Sequence, residues 1–296
     1  MTPPDAATPT PPRYLGVDLA WRDSTPERPA NETGLDVIDA DGTVLDAGWA
    51  RGVDEVEAWV SHWSTPGSVV AIDAPVLVPN ATGMRASERL VARAYGRWHV
   101  SANASSASLP WLGGRTLGER LERAGGVYDD GGLPRRVEAG GRFEGYPYTT
   151  LGGMSGLGYD DKRPRDKRPD LALPKEARRE ARATACDELL RRLAGMAGAE
   201  VPVRLDSHPV SAALLDEPSP LVDRAYKHRE DLPDAPVCAG PAALRARTPE
   251  RLQVLGADPE PDDRGRRATL ISPARPERRL GPTPVARVGR DARRAS

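Results

Sequence analysis

The stretch that most constrains the fold lies at residues 14–21, where the sequence YLGVDLAW surrounds one carboxylate, Asp18, with apolar residues. A short apolar run of this kind is typical of a buried strand. Burying a lone carboxylate is costly unless it is paired, hydrogen-bonded or bound to a metal. Residues 69–75, VVAIDAP, repeat the pattern around Asp73. We therefore predict two buried strands, each ending in an acid that needs a partner.

Between these two acidic segments the sequence predicts two more strands and a helix. Residues 33–39 and 43–49 have strand character and are joined by Asp41-Gly42, a dipeptide that favours a hairpin turn. Residues 53–63 carry apolar side chains at the spacing of an amphipathic helix. A helix leading from an antiparallel meander to a new buried strand favours parallel pairing of the strands at 14–20 and 69–73.

The second half of the chain is predicted to be mainly helical. Helices are expected at 84–95, 117–124 and 174–198, a strand at 142–147 and a final edge strand at 269–273. Residues 228–247 also have helical character but contain Pro233, Pro236 and Pro241. We expect that helix to begin near Asp231 and to kink or break at Pro241, because proline is tolerated only in the first turn.

Composition sets the expected domain boundaries. Hydrophobic residues make up 39% of the 296 residues and there are 30 prolines, which predicts long loops and disordered ends. We expect a disordered tail at 1–12, one domain with helical insertions at 13–275, and a disordered Arg-rich tail at 276–296. No apolar run is long enough to span a membrane and no signal peptide is recognisable, so a cytoplasmic protein is expected.

The acids favour a particular metal chemistry. Carboxylates without Cys or His ligands suit hard cations such as Mg²⁺ or Mn²⁺. The two cysteines, Cys186 and Cys238, stand far apart and argue against a zinc site or a disulfide framework. A carboxylate-bound pair of such ions can activate water for phosphodiester cleavage. The competing interpretation is that Asp18 and Asp73 merely end their strands or cap the next helix.

Several motifs together resemble a known family. The segments GVDLAW, AIDAP, TGMRASE, FEGYP and DAPVCA, with a DG turn after the first, occur in this order across most of the chain. This order resembles the predicted RNase H-like nucleases grouped as domain of unknown function 429. The resemblance implies an α/β, ribonuclease H-like fold: a five-stranded mixed sheet in the order 3-2-1-4-5, flanked by helices. It also implies nucleic acid as the partner.

The same resemblance implies roles for individual residues. It implies a catalytic set of Asp18, Asp73, Glu144 and Asp234, of which Asp18, Asp73 and Asp234 bind the metal. It implies substrate contacts for Arg85, Glu88 and Lys227, with Lys162 a weaker candidate for a phosphate contact. The prolines around Asp234 leave Asp231 as a rival ligand or as the helix N-cap. The charged run at 162–168 is interpreted as a solvated loop.

Two other functions remain open from the sequence. The first is a non-catalytic RNase H-like module that binds nucleic acid or a protein, for which carboxylates more than roughly 8 Å apart would be expected, since ions in two-metal sites lie about 4 Å apart. The second is an ATPase related to actin and the sugar kinases. That class needs glycine-rich phosphate loops, whereas Asp18 is followed by Leu-Ala-Trp.

Overall fold

The structure, a computed structural model, describes residues 10–132, 141–160, 162, 165–167, 169–257 and 261–282. Within this part of the chain, a mixed six-stranded sheet has helices on both faces. The strands are β1 (Tyr14–Asp18), β2 (Glu32–Ile38), β3 (Val44–Arg51), β4 (Val69–Ile72), β5 (Val127–Tyr128) and β6 (Gly141–Glu144). Their order is β3-β2-β1-β4-β6-β5. The predicted α/β class, a mixed sheet flanked by helices, is confirmed.

The pairing of the strands follows the sequence pattern. Strands β1, β2 and β3 form the antiparallel meander, and β1 and β4 are parallel, with Tyr14 opposite Val69. The predicted count of five strands is wrong, because β5 adds a sixth beyond β6. With only two residues, β5 is too short to show a periodicity, and pairing with β6 defines it. The predicted edge strand, β8 (Leu270–Pro273), pairs instead with β7 (Leu252–Leu255) in a separate two-stranded sheet.

The helices divide between the two faces of the sheet. They are α1 (Gly52–Trp63), α2 (Ala86–Tyr95), α3 (Gly113–Arg123), α4 (Pro147–Gly153), α5 (Lys175–Ala194), α6 (Pro209–Asp216), α7 (Asp223–Glu230) and α8 (Asp234–Arg247). Helices α1 and α3 cover one face through a cluster that includes Val56 and Leu117, whereas α8 and α4 cover the other. No helix in the described ranges has both the length and the apolar character needed to cross a membrane.

Helix α8 and the backbone just before it lie directly on β1 and β2 because a glycine of each strand faces them. A Cβ atom on Gly16 would lie 1.9 Å from the carbonyl oxygen of Ala235, and one on Gly34 would lie 2.0 Å from that of Asp231. Neither distance is possible for a real side chain. Glycine at these two strand positions therefore permits the backbone of α8 to contact β1 and the backbone just before α8 to contact β2.

Helix α8 differs from its prediction both in where it begins and in whether Pro241 breaks it. It begins at Asp234 rather than near Asp231, with Pro233 at the N-cap, and it continues through Pro241 to Arg247. An interior proline costs about 3 kcal/mol through the lost hydrogen bond and the ring clash. Residues 234–245 are all buried, so packing against the sheet outweighs that cost and keeps the helix unbroken.

Most of the predicted disordered tails lies outside the described residues, at 1–9 and 283–296. The described part of the second tail, residues 276–282, contacts β7. The backbone N–H of Val254 donates to the carbonyl oxygen of Pro282 at 3.0 Å, and the N–H of Leu280 donates to the side chain of Gln253 at 2.8 Å. Residues 276–282 therefore cover β7.

Strand β2 carries a buried acid, Asp36, on the face that α8 covers. Its neighbours in the sheet are Gly16 and Ala47, and the side chain is 1% exposed. Neither carboxylate oxygen has a hydrogen-bond partner within the described part of the chain. Burial raises the pKa of Asp36 to about 8, and repulsion from Asp46 adds to the increase. The folded protein therefore favours the neutral acid.

This buried acid predicts a loss of stability as pH rises. An unfolded Asp has a pKa of about 3.9, so between pH ~4 and ~8 the folded state binds the additional proton. The stability that Asp36 contributes is fully present below pH ~4, decreases between pH ~4 and ~8, and is lower by on the order of 5 kcal/mol once pH exceeds ~8. Urea denaturation between pH 5 and 9 should show a smaller decline for Asp36→Asn, because the amide does not ionise.

The control for this experiment is Asp41→Asn, which removes an exposed carboxylate from the adjacent hairpin turn. It should leave the wild-type dependence on pH unchanged. Equal slopes for Asp36→Asn and the wild type would contradict the assignment of a neutral buried acid.

Candidate active site

Three aspartates converge where β1, β4 and α8 meet. Asp18 ends β1, Asp73 directly follows β4, and Asp234 is the first residue of α8. One carboxylate oxygen from each lies within 4.8 Å of the others. Asp18 and Asp73 are close because β1 and β4 are parallel, and the backbone N–H of Asp73 donates to the carbonyl oxygen of Val17 at 2.8 Å. We call these three residues the aspartate triad.

Alternation along the strands explains why the triad faces α8. Gly16 and Asp18 lie on the same face of β1, and Ala71 and Asp73 on the same face of the β4 segment, since side chains two residues apart share a face. Gly16 faces the backbone of α8, and Ala71 belongs to the core on that side. The close approach of α8 then brings Asp234 to the strand ends.

A lysine that the sequence interpretation missed contacts the triad. The ammonium nitrogen of Lys167 lies 2.5 Å from Oδ2 of Asp234 and 3.5 Å from Oδ2 of Asp18. The side chain of Lys167 is 21% exposed. The expectation of a solvated loop at 162–168 is therefore wrong for this residue, whereas Lys162 is exposed. No sequence signal distinguishes Lys167 from the other basic residues of the run.

The charges of the triad perturb one another. Burial, followed by repulsion from Asp18 and Asp234, raises the pKa of Asp73 well above its ordinary value. Burial also raises the pKa of Asp234, and the attraction of Lys167 only partly opposes this increase. For Lys167, burial lowers the pKa, but the two neighbouring carboxylates outweigh burial and raise it. All three acids in their ionised form would therefore carry more negative charge than one ammonium balances.

Glu144 does not join the triad, although it was predicted as a catalytic acid. It lies opposite Ile72 in the β4–β6 register, and Ile72 faces the core formed with α1 and α3. Asp73 is one residue further along, so its side chain faces the other way. Glu144 instead receives two hydrogen bonds from the guanidinium of Arg85, at 2.5 and 2.6 Å.

The predicted pair Arg85 and Glu88 belongs to the same buried ionic network. The Nε atom of Arg85 donates to Glu88 at 2.8 Å, and the backbone N–H of Arg85 donates to the other oxygen of Glu88 at the same distance. The backbone N–H and hydroxyl of Ser105 also donate to Glu88. Burial raises the pKa of Glu144, and the attraction of Arg85 opposes the shift. The donor groups of Arg85 are thus largely occupied.

The remaining predicted cation, Lys227, is also paired. Its ammonium contacts the carboxylate of Asp231 and lies 3.0 Å from Glu230. Asp231 is the C-cap of α7 rather than the N-cap of α8, and it does not belong to the triad. Burial and repulsion from Asp18 raise the pKa of Asp231 to about 6.

A single cavity of about 380 Å³ connects these groups. Its lining includes the triad, Lys167, Arg85 with its two acids, Lys227, and three aromatic residues, Trp21, Tyr146 and Tyr148. All residues predicted for the site except Lys162 therefore line it. Their contacts divide them into two groups. The carboxylates of the triad are able to bind a further cation, whereas Arg85, Glu88 and Glu144 are already paired with one another.

Comparisons of the chain with protein-family models, curated proteins and solved structures find no match.

The Arg85 network predicts a large stability effect. Replacing Arg85 by Met removes the positive charge that compensates two buried carboxylates, those of Glu144 and Glu88. Breaking a buried ion pair in this way costs about 3–5 kcal/mol. Chemical denaturation at pH 7 should show that loss in the free energy of unfolding.

An exposed pair provides the matched control. Arg115 and Glu119 lie 3.0 Å apart, with side chains 49% and 58% exposed. Arg115→Met should cost less than about 1 kcal/mol, because solvent screens such pairs. Equal losses for the two Arg→Met variants would show that the Arg85 network does not hold this wall of the cavity together.

Proposed function

We propose that the protein is a metal-dependent nuclease that hydrolyses phosphodiester bonds in nucleic acid at the aspartate triad. The convergence of three carboxylate oxygens within 4.8 Å of one another carries this proposal. Oxygen-only donor sets suit Mg²⁺ or Mn²⁺. The raised pKa values of Asp73 and Asp234 also fit a cation site, because a divalent ion would relieve the repulsion that raises them.

We further propose that the sheet is RNase H-like and that the chain is related to the domain of unknown function 429 nucleases. The strand order supports this. Once the two-residue β5 is set aside, the strand order β3-β2-β1-β4-β6 matches the expected order 3-2-1-4-5. An acid ends the central strand, and another follows its parallel neighbour. Asp18, Asp73 and Asp234 keep the metal-binding roles that the resemblance implies, whereas Glu144 is proposed to be structural.

The residues of the chain have separate roles in this proposal. Asp18, Asp73 and Asp234 would hold the metal, which when bound supplies an activated water and neutralises charge on the phosphate. Arg85 and Glu144 fix one wall of the cavity through their ion pair. Trp21 and Tyr146 offer aromatic surface to a base of the substrate, since every base can stack on such a surface.

The alternatives fit less well. A non-catalytic module has no reason to hold its acids together, and the observed 4.8 Å is well below the separation of roughly 8 Å that would favour it. An actin-like ATPase needs glycine-rich phosphate loops, and the residues after β1 are Leu19, Ala20 and Trp21.

The test is cleavage of single-stranded RNA, single-stranded DNA, duplex DNA and RNA–DNA hybrid in the presence of Mg²⁺ or Mn²⁺. The wild type should cleave at least one of these substrates, and chelation of the metal should stop the reaction. Asp18→Asn should lower the rate at least about 100-fold, in the range seen when one charge-stabilising group of an active site is removed.

The matched control is Asp54→Asn in α1, where the carboxylate is 85% exposed and lies on the other face of the sheet. This variant should retain the wild-type rate. A folded Asp18→Asn protein with undiminished cleavage would overturn the proposed role of the triad, and circular dichroism would verify folding.

A further inference from the structure

Lys167 contacts only part of the aspartate triad. Its ammonium forms ion pairs with Asp234 at 2.5 Å and Asp18 at 3.5 Å. Among the described residues, its ion pairs do not include Asp73. The lysine therefore occupies the side of the triad between Asp18 and Asp234 and leaves the side between Asp18 and Asp73 to another cation.

The main chain next to Lys167 is anchored. The preceding residue, Asp166, is 3% exposed, and its carbonyl oxygen accepts a hydrogen bond of 2.8 Å from the hydroxyl of Tyr226. The hydroxyl of Tyr148 lies 3.4 Å from the Asp166 carboxylate. These contacts from α7 and α4 hold the loop beside the triad, so the position of Lys167 is built into the fold.

Two divalent ions in a nuclease site lie about 4 Å apart and are held by carboxylates. Two ions would have to share the three acids of this triad, so a second ion would need the side of Asp18 and Asp234 that Lys167 contacts. The ammonium of Lys167 already occupies that side. A divalent ion there would meet a fixed positive charge at short range, which is strongly unfavourable in a partly buried site.

Building on the proposed nuclease function, we propose that the triad binds one divalent ion, on its Asp73 side, and that Lys167 takes the place of a second ion. An ammonium has three N–H donors. With two of them directed at Asp18 and Asp234, one remains for an oxygen of the substrate phosphate in the cavity that Lys167 lines. Lys167 thus supplies the positive charge that a second ion would bring.

The test is the stoichiometry of Mn²⁺ binding to the full chain, measured by calorimetry, with electron paramagnetic resonance to detect coupled Mn²⁺ pairs. The wild type should bind one ion at the triad, with any second ion at least ~100-fold weaker because of the ammonium. Lys167→Gln removes the charge and should bind two ions that give a coupled signal. Lys167→Arg keeps the charge and should bind one.

The control is Lys162→Gln, which removes an exposed positive charge from the same loop and should leave the stoichiometry at one. Two ions in the wild type, or one ion in both the wild type and Lys167→Gln, would overturn the role of Lys167 while leaving the nuclease proposal intact. Absence of Mn²⁺ binding in every protein would overturn the metal-dependent function itself. If Lys167→Gln does not fold, Lys167→Met, which also removes the charge, takes its place in the comparison, and two ions in the wild type would still overturn the role of Lys167.

Discussion

The close contact between α8 and the central strand β1 is the constraint on which the candidate site depends. Gly16 leaves room for the carbonyl of Ala235, and the same contact places the first residue of the helix, Asp234, at the end of the strand. The burial of residues 234–245 stabilises this arrangement enough to keep the helix intact at Pro241. An acid far along the chain thereby reaches Asp18, at the start of the fold.

The sheet separates two groups of buried charged residues at the carboxyl ends of β1, β4 and β6. On the α8 side, Asp18, Asp73 and Asp234 outnumber the one ammonium that contacts them, so a further cation fits the site. At the end of β6, Glu144 faces the opposite way and is compensated by Arg85. Groups that line one cavity thus differ in chemistry, because alternation along the strands sends them to different partners.

Much of the fold could be predicted from local pattern. The hairpin turn, the amphipathic helix at α1 and the strands around Asp18 and Asp73 each have a periodicity or a turn signal that needs no tertiary information. The prediction failed where tertiary packing decides: the two-residue β5 and the unbroken α8 both depend on neighbours distant in sequence. Burial can outweigh the local preference of a proline or compensate for the brevity of a strand.

By itself, the sequence determined that acids end two neighbouring buried strands and that a metal-binding carboxylate site is a sound hypothesis. Only the tertiary structure decided which other groups join them. It placed Asp234, which the family resemblance had implied, and Lys167, which nothing in the sequence had indicated, beside these acids, and it paired Glu144 with Arg85. The physical reason is that local periodicity specifies which face of an element a side chain occupies, whereas the groups it meets there depend on how distant elements pack.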